Sequence, residues 1–75
     1  MDIKSIGKRA AKARKKLGLT QKDVAASVGV SREFITVFEA GYKFPSTLTM
    51  INIAETLQVS LDYLVFGGKD EQETH

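Results

Sequence analysis

Seventy-five residues make one small domain, and 43% hydrophobic with 27% charged residues is a globular balance that excludes a disordered or collagenous chain. Cysteine is absent and the single histidine is the last residue, His75, so disulfides and thiolate metal sites are excluded. The formal net charge of +2 hides an asymmetry, because residues 1–43 hold ten Lys/Arg against four Asp/Glu while residues 44–75 hold one against five. One half of such a molecule suits a polyanion such as nucleic acid, although Lys12, Arg14, Lys15 and Lys16 also fit an ordinary solvated helix. His75 reads as a solvated tail residue rather than a ligand or general base. No apolar run approaches the ~20 residues that span a bilayer. The start, Met1-Asp2-Ile3-Lys4, lacks the apolar core of a signal peptide, so the expected location is the cytoplasm.

The first element runs from Ile3 to Lys16. Ile6, Ala10, Ala13 and Leu17 recur at steps of three and four, which predicts a helix with one apolar stripe. Gly18 suits the left-handed residue that ends it. The second begins after Thr20, with Asp23 three residues on, a variant of the capping box. Val24, Ala25 and Val28 form its inner face and Gly29 stops it. Ser31 caps the third, which turns Ile35 and Phe38 inward and ends at Gly41. Pro45 forbids a helix through it, and Ser46 caps a fourth that runs to about Leu57. That helix carries Met50, Ile51, Ile53, Ala54 and Leu57. Ser60 caps a short fifth with Leu61, Tyr63, Leu64, Val65 and Phe66, closed by Gly67-Gly68. No stretch alternates with period two, so the expected fold class is all-α. Residues 1–67 form the domain and residues 68–75 a polar tail expected to be mobile.

The stretch from Gln21 to Ala40 has the arrangement that a helix-turn-helix needs. Its two short helices cross steeply, so the contact point on the first must be small, and Ala25 is small. The turn needs a residue tolerant of positive φ, which Gly29 supplies. Val24, Val28, Val30, Ile35 and Phe38 hold the pair to the other helices. The outer face of the second helix is left to enter a major groove.

In these residues the chain resembles the Cro/CI-like (lambda-repressor-like, XRE) helix-turn-helix family, over roughly Ile6 to Gly67. The resemblance is carried by Leu17-Gly18-Leu19-Thr20-Gln21-Lys22-Asp23-Val24-Ala25 and by Val28-Gly29-Val30-Ser31-Arg32. Ile35, Glu39, Gly41, Pro45-Ser46, Ala54-Glu55 and Val59-Ser60-Leu61-Asp62 follow in order. It implies a compact five-helix domain with the helix-turn-helix at its second and third helices. It also implies a repressor of transcription that binds a palindromic operator in double-stranded DNA as a homodimer.

By position, the resemblance puts Arg32, Glu33, Thr36 and Val37 at base edges, with Thr36 also in reach of a phosphate. Thr20, Gln21, Lys43, Ser46 and Thr47 fall at phosphates, with Gln21 also buttressing the recognition helix. Helix N-termini favour an anion there. Each position has a plainer reading. Thr20 and Ser46 serve as caps with or without DNA, Arg32 suits a solvated surface, and Glu33 either reads cytosine or answers the helix dipole and orients Arg32. Phe34 and Val37 depart from the polar residues common there. As exposed apolar side chains they either meet thymine methyls or mark a contact with protein. The resemblance further implies an ion pair between Arg14 and Glu39. The apolar fifth segment suggests that Val65 and Phe66 meet a second copy. The competing reading is a protein-interaction module of the same fold, antitoxin-like or antirepressor-like. With no usable Cys or His, no phosphate-cradling glycine loop and no paired carboxylates, an enzyme is not expected, nor is a metal, cofactor or membrane partner.

Overall fold

A computed structural model describes residues 2–68, and the expected tail from residue 69 onward lies outside the described residues. Five helices follow in chain order: α1 (Ile3–Lys16), α2 (Gln21–Val28), α3 (Arg32–Glu39), α4 (Thr47–Leu57) and α5 (Leu61–Phe66). There is no strand among the described residues. None of the described helices is long and apolar enough to cross a membrane.

Local chemistry sets each helix start. Thr20, Ser31, Ser46 and Ser60 have extended backbones, and each side-chain oxygen accepts the N–H three residues on, which satisfies a donor that the helix cannot. At α2 the box is complete: Asp23 N–H donates to Thr20 Oγ1 at 3.0 Å and Thr20 N–H donates to Asp23 Oδ2 at 2.9 Å. Gly29 then turns the chain with φ 86°, and its N–H closes on the Ala25 carbonyl at 2.8 Å.

The core is wholly apolar among the described residues. Phe38, Ile6, Ile35, Met50, Ile53, Leu64 and Val24 are its largest fully buried side chains. Ala25 is buried, and its carbonyl accepts the Gly29 and Val30 N–H groups of the turn that leads to α3. The stripe of α1 differs from the sequence expectation at its ends. Leu17 is 39% exposed, because the helix stops at Lys16 and the chain turns away. Gly7 joins Ile6, Ala10 and Ala13 in the buried face instead. A β-carbon on Gly7 would lie 2.5 Å from the carbonyl oxygens of both Phe38 and Glu39, so only glycine lets α1 approach the end of α3 this closely.

Candidate nucleic-acid interface

The face of α3 turned from the core is built by helical spacing. Ile35 and Phe38 are buried, which sends Arg32, Glu33 and Thr36 outward, and all three are exposed. Phe34 and Val37 lie on the flank between these arcs. Both are half-buried, with Phe34 packed against the core, which corrects the expectation of two exposed apolar side chains. The reason is rotational: each sits one step around the helix from Phe38. Val37 therefore presents only part of its side chain to anything that approaches α3.

The C-terminal end of α3 is fixed by a four-residue polar network. Arg14 on α1 grips Glu39 with both ends of its fork, Nε donating to Oε2 at 2.8 Å and Nη2 donating to Oε1 at 3.0 Å. Its third nitrogen, Nη1, donates to the Leu19 carbonyl at 2.9 Å, which ties the α1–α2 connection to the same point. Gln21 Nε2 donates to Glu39 Oε1 at 2.9 Å, and Gln21 Oε1 accepts from the Thr36 hydroxyl at 2.9 Å. The side chains of Arg14 and Glu39 are only 11% and 9% exposed. The bond to Glu39 pushes the Arg14 pKa up against the opposing effect of burial, so the guanidinium stays charged. Arginine suits this position because its planar fork satisfies both carboxylate oxygens at once.

This network links three helices at the edge of the α3 outer face. Gln21, expected at a phosphate, spends its side-chain amide on α3. Its position as first residue of α2 still leaves its backbone N–H among the groups without an intrahelical acceptor. Thr20 is exposed beside it as the cap. Thr36 has a single hydroxyl proton, shared between Gln21 Oε1 and the Arg32 carbonyl at 3.1 Å. The four-way arrangement of Glu39, Arg14, Gln21 and Thr36 was not readable from spacing, which offers no sign that residues 14, 21, 36 and 39 meet.

Lys43 and Ser46, in the connection between α3 and α4, and Thr47, the first residue of α4, are exposed. Ser46 Oγ accepts the Thr49 N–H at 3.3 Å and bonds the Thr49 hydroxyl at 3.1 Å. The Lys43 ammonium lies over the Phe34 ring, 5.6 Å from its centroid. The outward arc of α5 carries Leu61, Asp62, the half-buried Val65 and Phe66, which is 71% exposed. Among the described residues no group of three His, Cys, Asp or Glu side chains is placed to hold a metal ion.

A family model described as Helix-turn-helix matches residues 11–64. The uncharacterized HTH-type transcriptional regulator YqaE of Bacillus subtilis (strain 168) is 43% identical over 61 residues, covering 81% of this chain and 53% of that protein. The HTH-type transcriptional regulator ImmR of the same organism is 39% identical over 67 residues, covering 89% and 51%. The chain spans about half the length of both. Among solved structures, the P22 c2 repressor in crystalline complex with a synthetic operator superposes with a TM-score of 0.80 at 34% identity. That match covers 83% of this chain and 94% of the repressor chain.

Proposed function

The chain belongs to the helix-turn-helix family, and from that premise we propose that it regulates transcription by binding double-stranded DNA, as a repressor and as a homodimer on a palindromic operator. The observation that carries this reading is the α3 face. Arg32, Glu33 and Thr36 project together from a helix whose far end is clamped to α1 and α2 by the Glu39 network. A groove-reading helix needs both properties: side chains that reach base edges, and a frame that fixes their register.

In this reading residues 1–67 are the DNA-binding unit. Arg32 takes a guanine edge by its fork, with Glu33 and Thr36 beside it and Val37 against a thymine methyl. Thr20, Gln21, Lys43, Ser46 and Thr47 hold the two flanking phosphate tracks, where the N-termini of α2 and α4 add their unpaired N–H groups. The chain's likeness to the P22 c2 repressor, a protein crystallised on an operator, supports the same docking.

Geometry favours the dimer. Symmetric half-sites lie one helical turn apart, ~34 Å between recognition helices. The described residues supply one such helix, α3, so a symmetric site calls for a second copy. Val65 and Phe66 on the outward arc of α5 supply apolar surface for a twin. The half-burial of Phe34 and Val37 leaves less apolar surface on α3 for a protein partner.

Arg32→Ala tests the reading in a fluorescence anisotropy titration. On the preferred site it should cost ~1–3 kcal/mol and relax preference at one base pair. On mixed-sequence duplex it should cost far less. Equal binding of parent and variant to both duplexes would show that the α3 face does not read DNA.

A further inference from the structure

The contact between Phe34 and Lys43 has a consequence beyond the packing of a flank. We propose that Phe34 is a positioning residue: its ring holds the Lys43 ammonium in place to meet a DNA phosphate. The inference rests on the reading of Lys43 as a phosphate contact and adds what makes that contact effective.

Three features of the structure combine here. The ring is backed by the protein, because Phe34 is half-buried and packs against the core. The backbone leading into Lys43 is tied down as well. Gly41 N–H donates to the Phe38 carbonyl at 3.1 Å and Tyr42 N–H donates to the Val37 carbonyl at 2.9 Å. Together these two bonds form the paired closure of a helix C-terminus that ends on a left-handed glycine. On the other side, Pro45 is buried and Ser46 caps α4. The third feature is the ammonium itself, 5.6 Å from the ring centroid and within the ~6 Å over which the negative face of a ring attracts a cation.

A lysine stem of four carbons otherwise samples many rotamers and loses that freedom when it binds. The ring narrows the sampling beforehand. An ammonium has three donors, so contact with a ring on one side leaves N–H groups to meet a phosphate oxygen on the other. Positioning matters at this site because Lys43 is the only basic residue from 40 to 46, where Tyr42 and Phe44 flank it. Within the connection it is the single cation, while the stem of Lys4 reaches Gly41 from α1.

The test is a double-mutant cycle read as affinity for a mixed-sequence duplex about two helical turns long, across a series of salt concentrations. Lys43→Ala should weaken binding and lower the slope of log affinity against log salt by about 0.9, the value of one phosphate contact. Phe34→Leu keeps apolar bulk and loses the ring. It should weaken binding roughly two- to tenfold, the ordering cost of one flexible side chain that the ring no longer meets in advance, with the salt slope retained. In the Lys43→Ala background the same leucine should cost nothing further, and Phe34→Tyr should bind like the parent. An equal loss from Phe34→Leu with and without Lys43, or a gain in affinity, overturns the positioning role and leaves the phosphate contact standing. No change in affinity or slope on Lys43→Ala overturns the phosphate reading itself. An independent measurement needs no variant to fold: in the parent, the Lys43 ε-methylene protons should show an upfield ring-current shift by NMR. Ordinary lysine shifts there would overturn the proposal.

Discussion

Replacing Arg14 by methionine removes one cation from the edge of the core and nothing of comparable length. Two charge-assisted bonds to Glu39, at 2.8 and 3.0 Å, disappear with it, as does the bond that holds the Leu19 carbonyl. The carboxylate keeps only the Gln21 amide as partner, on a side chain that is 9% exposed in the parent. Stranding a deeply buried charge costs about 3–5 kcal/mol. Residual exposure and the Gln21 bond let Glu39 recover part of its solvation, which brings the expected loss to about 2–3 kcal/mol. For a domain this small each kcal/mol moves the melting temperature by roughly 4–8 °C, so the variant should melt roughly 8–24 °C below the parent. Thermal unfolding followed by helical circular dichroism measures it. Arg14→Met/Glu39→Leu should recover most of the loss, since the damage lies in the stranded carboxylate rather than in the missing attraction. Melting of Arg14→Met within a degree or two of the parent would refute the reasoning.

Gly7→Ala sets a gain of about 1 kcal/mol in helix propensity against a β-carbon 2.5 Å from two backbone carbonyl oxygens. The clash should win by about 1–2 kcal/mol, because backbone cannot swing aside, and a urea midpoint at or above the parent's would contradict it. Asp23 titrates below its ordinary value of 3.8, mainly because it accepts the Thr20 N–H, and Asp2 does so through Ser5 and the Lys4 N–H. A depressed carboxylate pKa means the folded state binds fewer protons, so this stabilisation is full above pH 3.8 and is lost as pH falls through the lower folded value. The melting difference between parent and Asp23→Ala should therefore shrink between pH 5 and 2 (roughly the titration range of a carboxylate), and a constant difference would exclude the ionised cap as its source. Phe66→Ser should leave the monomer's stability within about 0.5 kcal/mol, as an exposed residue does. It should also reduce the two-chain complex on a duplex in sedimentation, and undiminished two-chain binding would move the dimer contact elsewhere.

Helix boundaries were legible because short-range chemistry sets them. Thr20, Ser31, Ser46 and Ser60 are hydroxyl caps whose partners lie three residues away in the chain, and Gly29 and Gly41 are stops that need no knowledge of the rest. Gln58, which ends α4 in a left-handed conformation at φ 60°, carried no such sign, because a non-glycine stop is chosen by packing. Periodicity alone placed Leu17 inside and passed over Gly7, since a glycine adds nothing to an apolar stripe until its partner is known. The outward positions of α3 followed from Ile35 and Phe38. Phe34 is half-buried against expectation because helical spacing gives an angle, whereas burial also depends on what stands beside that angle. The link from Gln21 to Glu39 and Thr36 spans 18 and 15 residues, and only the assembled fold brings those groups together.

Selection of bound duplexes from a random-sequence pool, by immobilised protein at moderate salt, bears most directly on the proposed function. The account predicts enrichment of an inverted repeat whose half-site centres lie about one helical turn apart, with two chains on each selected duplex. Arg32→Ala should blunt the preference at one symmetric pair of positions. A pool that stays random through successive rounds, or that retains duplexes only through a sequence-independent, salt-sensitive attraction, would contradict it.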